Sequence, residues 1–204
     1  ATPYCARKLM NEGYDWLCKI DADTIITGNM HHIWEDEYDV AVVQNSNPRE
    51  MKAYPVGVLD INPMEYCNCG FVVMKNRSFV DHWWKLCKSK HFNSYQFKEQ
   101  DLLNIMIYYG DYNVKFLDKS NKWHGLISKG YWSQIKLESE IIPHLEKDHE
   151  LRTKLVLPKN EEWPLDQDKQ IVAIHFAGGN DPNKGNYRLH FQPEVVKYLD
   201  SLVK

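Results

Sequence analysis

No apolar run in this chain approaches the ~20 residues that a membrane-spanning helix requires, and no secretory leader is visible. The expectation is a chain with no membrane span of its own, working in the cytoplasm. Cysteine is scarce and unpaired in its spacing: Cys5, Cys18, Cys67, Cys69 and Cys87 are an odd number, and Cys67-Asn68-Cys69 has no second pair to complete a zinc finger. A reducing compartment is the simpler reading, with Cys18 and Cys69 as small buried apolar groups. An excess of positive charge is also missing. The net charge is −3 with acids and bases interspersed, so the electrostatic footprint of a nucleic-acid binder is absent. There is no internal repeat and no low-complexity linker.

What is present is a chain of 204 residues, enough for one ordinary domain with an adequate core. Seven Trp and twelve Tyr exceed the usual aromatic share; dense core packing accounts for most such surpluses, and sugar-stacking surfaces are the other use. Strand patterns near 15–20, 39–43, 57–60, 69–74, 114–117 and 171–175 alternate with helical patterns near 28–35, 78–90, 99–109, 138–149 and 193–203. Ala6 to Asn11 reads as the tail of a helix, and Gly13 sits where a helix stop belongs. This alternation predicts an α/β fold in a single domain over 1–204. From 118 to 170 the pattern is irregular, with Trp123-His124-Gly125 and Tyr131-Trp132 marking an acceptor-side region.

Chemistry concentrates at two strand ends. The run Trp16-Leu17-Cys18-Lys19-Ile20 stops at Asp21-Ala22-Asp23-Thr24. In extended chain, alternate side chains share a face, so Asp21 and Asp23 can aim at one point. Two carboxylates so placed repel each other unless a cation lies between them, and oxygen ligands suit Mn²⁺ or Mg²⁺ better than Zn²⁺. Much later, Ile171-Val172-Ala173-Ile174 stops at His175, followed by a loop containing Gly178, Gly179 and Lys184. Ligands of open α/β sheets gather outside the carboxyl ends of the strands, which makes His175 a third metal ligand beside Asp21 and Asp23. Gly178 lets backbone N–H groups approach an anion, and Lys184 offers a point charge for phosphate. His31-His32 is no metal pair, because adjacent helical positions do not share a face.

Four motifs occur in a fixed order: Asp21-Ala22-Asp23-Thr24, Asn68-Cys69-Gly70-Phe71-Val72-Val73-Met74, Gln100-Asp101-Leu102-Leu103-Asn104 and His175-Phe176-Ala177-Gly178. In that order and spacing the chain resembles the nucleotide-sugar glycosyltransferases of GT-A fold, nearest the family 8 type that includes glycogenin-like and bacterial galactosyl- and glucosyltransferases. The resemblance covers about residues 14 to 185. It implies a GT-A, Rossmann-like mixed sheet flanked by helices, and a hexosyltransferase using a UDP sugar and Mn²⁺ (or Mg²⁺). The acceptor would be a hydroxyl on a glycan, protein or lipid. It further implies a donor site in which Asp21, Asn68, Gly70, Gln100, Gly178 and Lys184 face sugar or phosphate, with Asp101 as the catalytic group, contacting donor-sugar hydroxyls or lying beneath the anomeric centre. Gln44 and Asn45 are a weaker sugar-contact pair.

Two features depart from the family pattern. The family's lysine stands three residues after the loop glycine in a Lys-Pro-Trp run; here position 181 is Asp and the first lysine is Lys184. The family also places several strands and helices before Asp-x-Asp, where this chain has twenty residues, so the expectation is a domain lacking its N-terminal nucleotide-binding part. A rival reading is a haloacid-dehalogenase-type phosphohydrolase, with Asp21 as nucleophile, Asp23 as acid/base, and Ser46 and Gly110-Asp111 as later elements; it leaves His175 and Asn68-Cys69-Gly70 without a task. A non-catalytic sugar-binding module is the third.

Overall fold

A computed structural model describes residues 2–28, 30–34, 36–44, 61, 65–117, 136–137, 155–157, 169–171, 173–175, 187–189 and 191–202. These residues belong to two compact units, one built from Ala1–Ile20 and Glu37–Leu117, the other from Asp21–Asp36 and Asp118–Lys204.

The first unit holds a four-stranded mixed sheet. Its strands are β1 (Leu17–Ile20), β3 (Val40–Gln44), β4 (Cys67–Met74) and β5 (Val114–Phe116), in the order β1-β4-β3-β5. The short strand β2 (Thr24–Ile26) falls between β1 and β3 in sequence and belongs to the second unit. β4 runs antiparallel to both of its neighbours, while β3 and β5 are parallel. Val40, Val42, Val72 and Met74 pack against helices α1 (Thr2–Asn11), α2 (Arg77–Cys87) and α3 (Glu99–Tyr109) through Ala6, Phe79, Val80, Trp83, Leu103 and Met106. The alternate residues Ala41, Val43, Phe71 and Val73 are as fully buried, which explains why β3 and β4 read as continuous apolar runs.

Local signals set the helix ends. Gly13 takes a φ of +101°, a left-handed conformation open to glycine, and α1 stops just before it as expected. Asn76 caps α2, its side-chain oxygen accepting from the N–H groups of Ser78 at 2.7 Å and Phe79 at 3.2 Å. α3 spans the residues expected of it; α2 begins one residue earlier than predicted and ends three sooner.

In the second unit, β2 pairs antiparallel with β9 (Ala173–His175). Beside them in the chain lie β6 (Lys136–Leu137), β7 (Leu155–Leu157) and β8 (Lys169–Gln170), which form a three-stranded antiparallel sheet. Helix α4 (Pro193–Leu202) opens on Pro193 and Glu194 and buries Val195 and Leu199 in a core with Leu155, Ile171, Ile174 and Phe191.

One expectation is corrected, and several short strands are additions to it. The helix predicted near 28–35 is a single 3₁₀ turn, His31–Trp34, in which Ile33 N–H bonds to the Met30 carbonyl. β2 was not foreseen, nor were β6, β7 and β8, whose two or three residues are too few to show a period. The expected strand 57–60 and helix 138–149 lie outside the described residues. No helix among the described residues is long and apolar enough to cross a membrane.

Candidate metal and donor site

Asp21 follows directly on the last residue of β1, but the two acids are not in extended chain. Residues 21–24 form a turn closed by Thr24 N–H donating to the Asp21 carbonyl at 3.1 Å. The turn, rather than strand alternation, brings Asp21 and Asp23 to one side. Immediately after it, β2 begins, and its register sets Thr24 directly opposite His175 on β9. The imidazole is thereby delivered to the acids across 152 positions of sequence. His175 Nε2 lies 3.1 Å from Asp23 Oδ1 and 3.2 Å from Asp21 Oδ2.

Burial is graded across the three: the His175 side chain is 5% exposed, Asp23 24% and Asp21 37%, so the cluster has a closed back and an open front. One ligand atom from each lies within 4.8 Å of the others. A pair of carboxylates with one imidazole is a donor set for a divalent cation such as Mn²⁺. The other ring nitrogen, His175 Nδ1, is buried with no hydrogen-bond partner. Metal-bound histidines present one nitrogen to the ion and use the other to hold the ring in place.

A separate polar cluster forms in the first unit, where α3 meets the start of β4. Gln100 Oε1 accepts from Cys69 N–H at 3.0 Å. Asn104, fully buried, accepts from Cys67 N–H at 2.7 Å and donates to the Cys67 and Gln100 carbonyls, each at 2.8 Å. Asn68 Oδ1 accepts from Gly70 N–H at 2.6 Å, which turns the Asn amide back on its own strand. Asp101 is buried and doubly engaged: Tyr66 OH donates to Oδ1 at 2.5 Å and Phe97 N–H donates to Oδ2 at 2.8 Å. Just before this turn Lys98 adopts φ 47° and ψ −109°, a strained backbone for a residue with a side chain, of the kind that persists where its surroundings over-determine it.

The structure therefore brings Asp21, Asp23 and His175 together in one group and Asn68, Gly70, Gln100 and Asp101 in another. Gly178, Lys184, Asn45 and Trp123-His124-Gly125 lie outside the described residues. Gln44 is buried at the end of β3 and donates to the Glu65 carbonyl at 3.2 Å and to Tyr108 Oη at 3.1 Å, so it serves the strand rather than standing in a loop. Tyr66 was missed in the sequence. The signal available was a tyrosine directly ahead of the Cys67-Asn68 strand start, in a chain that must satisfy a buried acid on a neighbouring helix.

Compared with solved structures, the chain is similar over 98% of its length to 67% of the galactosyltransferase LgtC in complex with donor and acceptor sugar analogues, at a TM-score of 0.53 and 15% identity. The chain has the GT-A glycosyltransferase fold. Weaker likenesses, both at a TM-score of 0.47, are to the bifunctional glycosyltransferase WbbM in its apo form and to an active-site mutant of LgtC. The first has 16% identity over 99% of this chain and 37% of WbbM; the second has 11% identity over 96% and 70%. No protein-family model matches the sequence, and no curated protein does so significantly. In a GT-A domain, as in other open α/β sheets, the loops beyond the carboxyl ends of strands are where ligands bind. Asp21, Asp23 and His175 stand at such ends, after β1 and at the last residue of β9.

Proposed function

We infer that this chain is a metal-dependent glycosyltransferase that moves a sugar from a nucleoside-diphosphate sugar, foremost a UDP sugar, to an acceptor hydroxyl on a glycan, protein or lipid. The observation that carries the reading is the meeting of Asp21, Asp23 and His175 at strand ends of a GT-A fold. The solved galactosyltransferase with that fold holds donor and acceptor sugar analogues, which supports a sugar donor here. In a phosphohydrolase His175 would have no task; here its Nε2 is within 3.2 Å of both acids.

A bound Mn²⁺ or Mg²⁺ would supply neutralisation of the negative charge that a diphosphate gains as the glycosidic bond breaks. Asp21, Asp23 and His175 are the residues that hold it. Lys184 and N–H groups of the Gly178 loop, outside the described residues, would add fixed positive potential where charge develops. Asn68, Gly70 and Gln100 border the donor sugar. Asp101 is the catalytic carboxylate. Because both of its oxygens already accept hydrogen bonds, it suits the role of a fixed anion that orients the sugar and steadies positive charge at the anomeric carbon. The acceptor hydroxyl then attacks that carbon, the new glycosidic bond forming as the bond to diphosphate breaks.

Thermal-shift measurements with a panel of nucleotide sugars, with Mn²⁺ and in chelator, test this reading, since a ligand that binds the folded form raises its melting temperature by mass action. A UDP sugar in Mn²⁺ gives the largest shift, Asp23→Ala abolishes its metal-dependent part, and UDP is released on adding acceptor. An equal shift in chelator overturns the proposal.

A further inference from the structure

Two polar atoms among the described residues are buried without any hydrogen-bond partner: His175 Nδ1 and Thr24 Oγ1. They belong to residues directly opposite each other on the β2–β9 ladder. Side chains so placed stand on one face of the pair with Cβ atoms roughly 5 Å apart. Leaving a buried donor or acceptor unsatisfied is costly, and two such atoms on facing residues is not an arrangement that packing alone would favour.

Metal ligation by His175 would make each atom the other's partner. A histidine that binds a cation through Nε2 has no proton there, so the ring's single proton is on Nδ1 and needs an acceptor. Thr24 offers one: a hydroxyl oxygen with two lone pairs, attached to the residue that immediately follows ligand Asp23. We propose that Thr24 is a positioning residue for the metal centre, its Oγ1 accepting the Nδ1 proton of His175 and so fixing the ring with the Nε2 lone pair toward the cation. With Nε2 holding a cation, the Nδ1 proton would have Thr24 Oγ1 as its acceptor across the strand pair. The assignment rests on the metal-site reading above and deepens it, since it specifies which tautomer of His175 binds and what holds it. It also gives the threonine of Asp21-Ala22-Asp23-Thr24 a task separate from ligation.

The test compares wild type, Thr24→Val and Thr24→Ser. Valine keeps the branched shape that suits a strand and removes the acceptor; serine restores it. Mn²⁺ affinity is read by calorimetry, and the His175 ring in Mg²⁺-loaded protein by long-range proton–nitrogen NMR. Thr24→Val weakens Mn²⁺ by about 10- to 100-fold, the range found for outer-shell partners of metal ligands, while Thr24→Ser stays near wild type. In wild type and Thr24→Ser the Nδ1 proton is resolved and slow to exchange; in Thr24→Val it is lost to solvent exchange. Should Thr24→Val unfold, Thr24→Ala replaces it in the same comparison. A Thr24→Val or Thr24→Ala protein that binds Mn²⁺ as wild type does, or that keeps the Nδ1 proton protected, overturns the assignment while leaving the metal site standing. A wild-type protein that binds no Mn²⁺ overturns the metal reading itself.

Discussion

Asp23 and His175 contribute unequally to the cluster because they are buried to different degrees. Asp23→Asn removes charge at a partly exposed position and should abolish tight Mn²⁺ binding with little loss of stability. His175→Ala removes the same binding and also empties a buried site, so its unfolding midpoint in urea should fall as well. A similar fall for both variants would mean that the acids serve the fold. The thiols give a second comparison at this scale. Burial pushes Cys18 up from 9.0 to about 12, whereas Cys5 is exposed on α1. At pH 8 a thiol reagent should label Cys5 quickly and reach Cys18 only after unfolding. Because the folded-state value of Cys18 lies above the unfolded one, its contribution to stability is complete below the unfolded value and is lost as pH rises toward about 12. The melting temperature of wild type should therefore drop in that alkaline range more than that of Cys18→Ala. The grouping of Asp21, Asp23 and His175 was legible in the sequence because metal-competent side chains stand where two apolar runs stop. Thr24 and Tyr66 were not, since their partners are set by strand register and by the approach of α3 to β4, which no local pattern encodes.

Side-chain amides of α3 add a polar link to the apolar packing against β4. Asn104→Leu fits the apolar surroundings but strips Cys67 N–H and C=O of their side-chain partner, and should destabilise the protein by about 3 kcal/mol in urea unfolding. Asn76→Ala, which uncaps α2 and also breaks the 2.6 Å bond from Asn76 Nδ2 to Asp39 Oδ1, should cost about 1–2 kcal/mol. If the cap variant were the more damaging of the two, the amide lock would not be what holds β4. α3 was legible because Leu102, Leu103 and Met106 repeat at helical spacing, and α4 because Pro193 and Glu194 announce its start. The 31–34 segment misled for a physical reason: an apolar pair beside two histidines mimics one helical turn, and one turn of 3₁₀ is all that forms.

Across the whole molecule, charge is mixed and every proposed metal ligand belongs to the second unit, although Asp21 follows directly on a strand of the first. Saturating Mn²⁺ at a hundredfold excess over its dissociation constant should stabilise the folded state by about 2.7 kcal/mol. Hydrogen exchange should slow most for amides of β2 and β9; equal slowing in β3 and β4 would show that the two units open together. The mixed α/β class was legible from the alternation of strands and helices, but the division into interleaved units was not, because it arises from pairings between distant segments.

That pairing orders events during synthesis. A ribosome extrudes Asp21 and Asp23 long before His175, which trails Asp23 by 152 positions, and the loop between them must close before β2 finds β9. A nascent chain thus displays its two acids without the imidazole while those 152 positions are made. The group of three is complete only once β9 has paired with β2, so a product truncated ahead of Ala173 would keep the acidic turn and lack the imidazole.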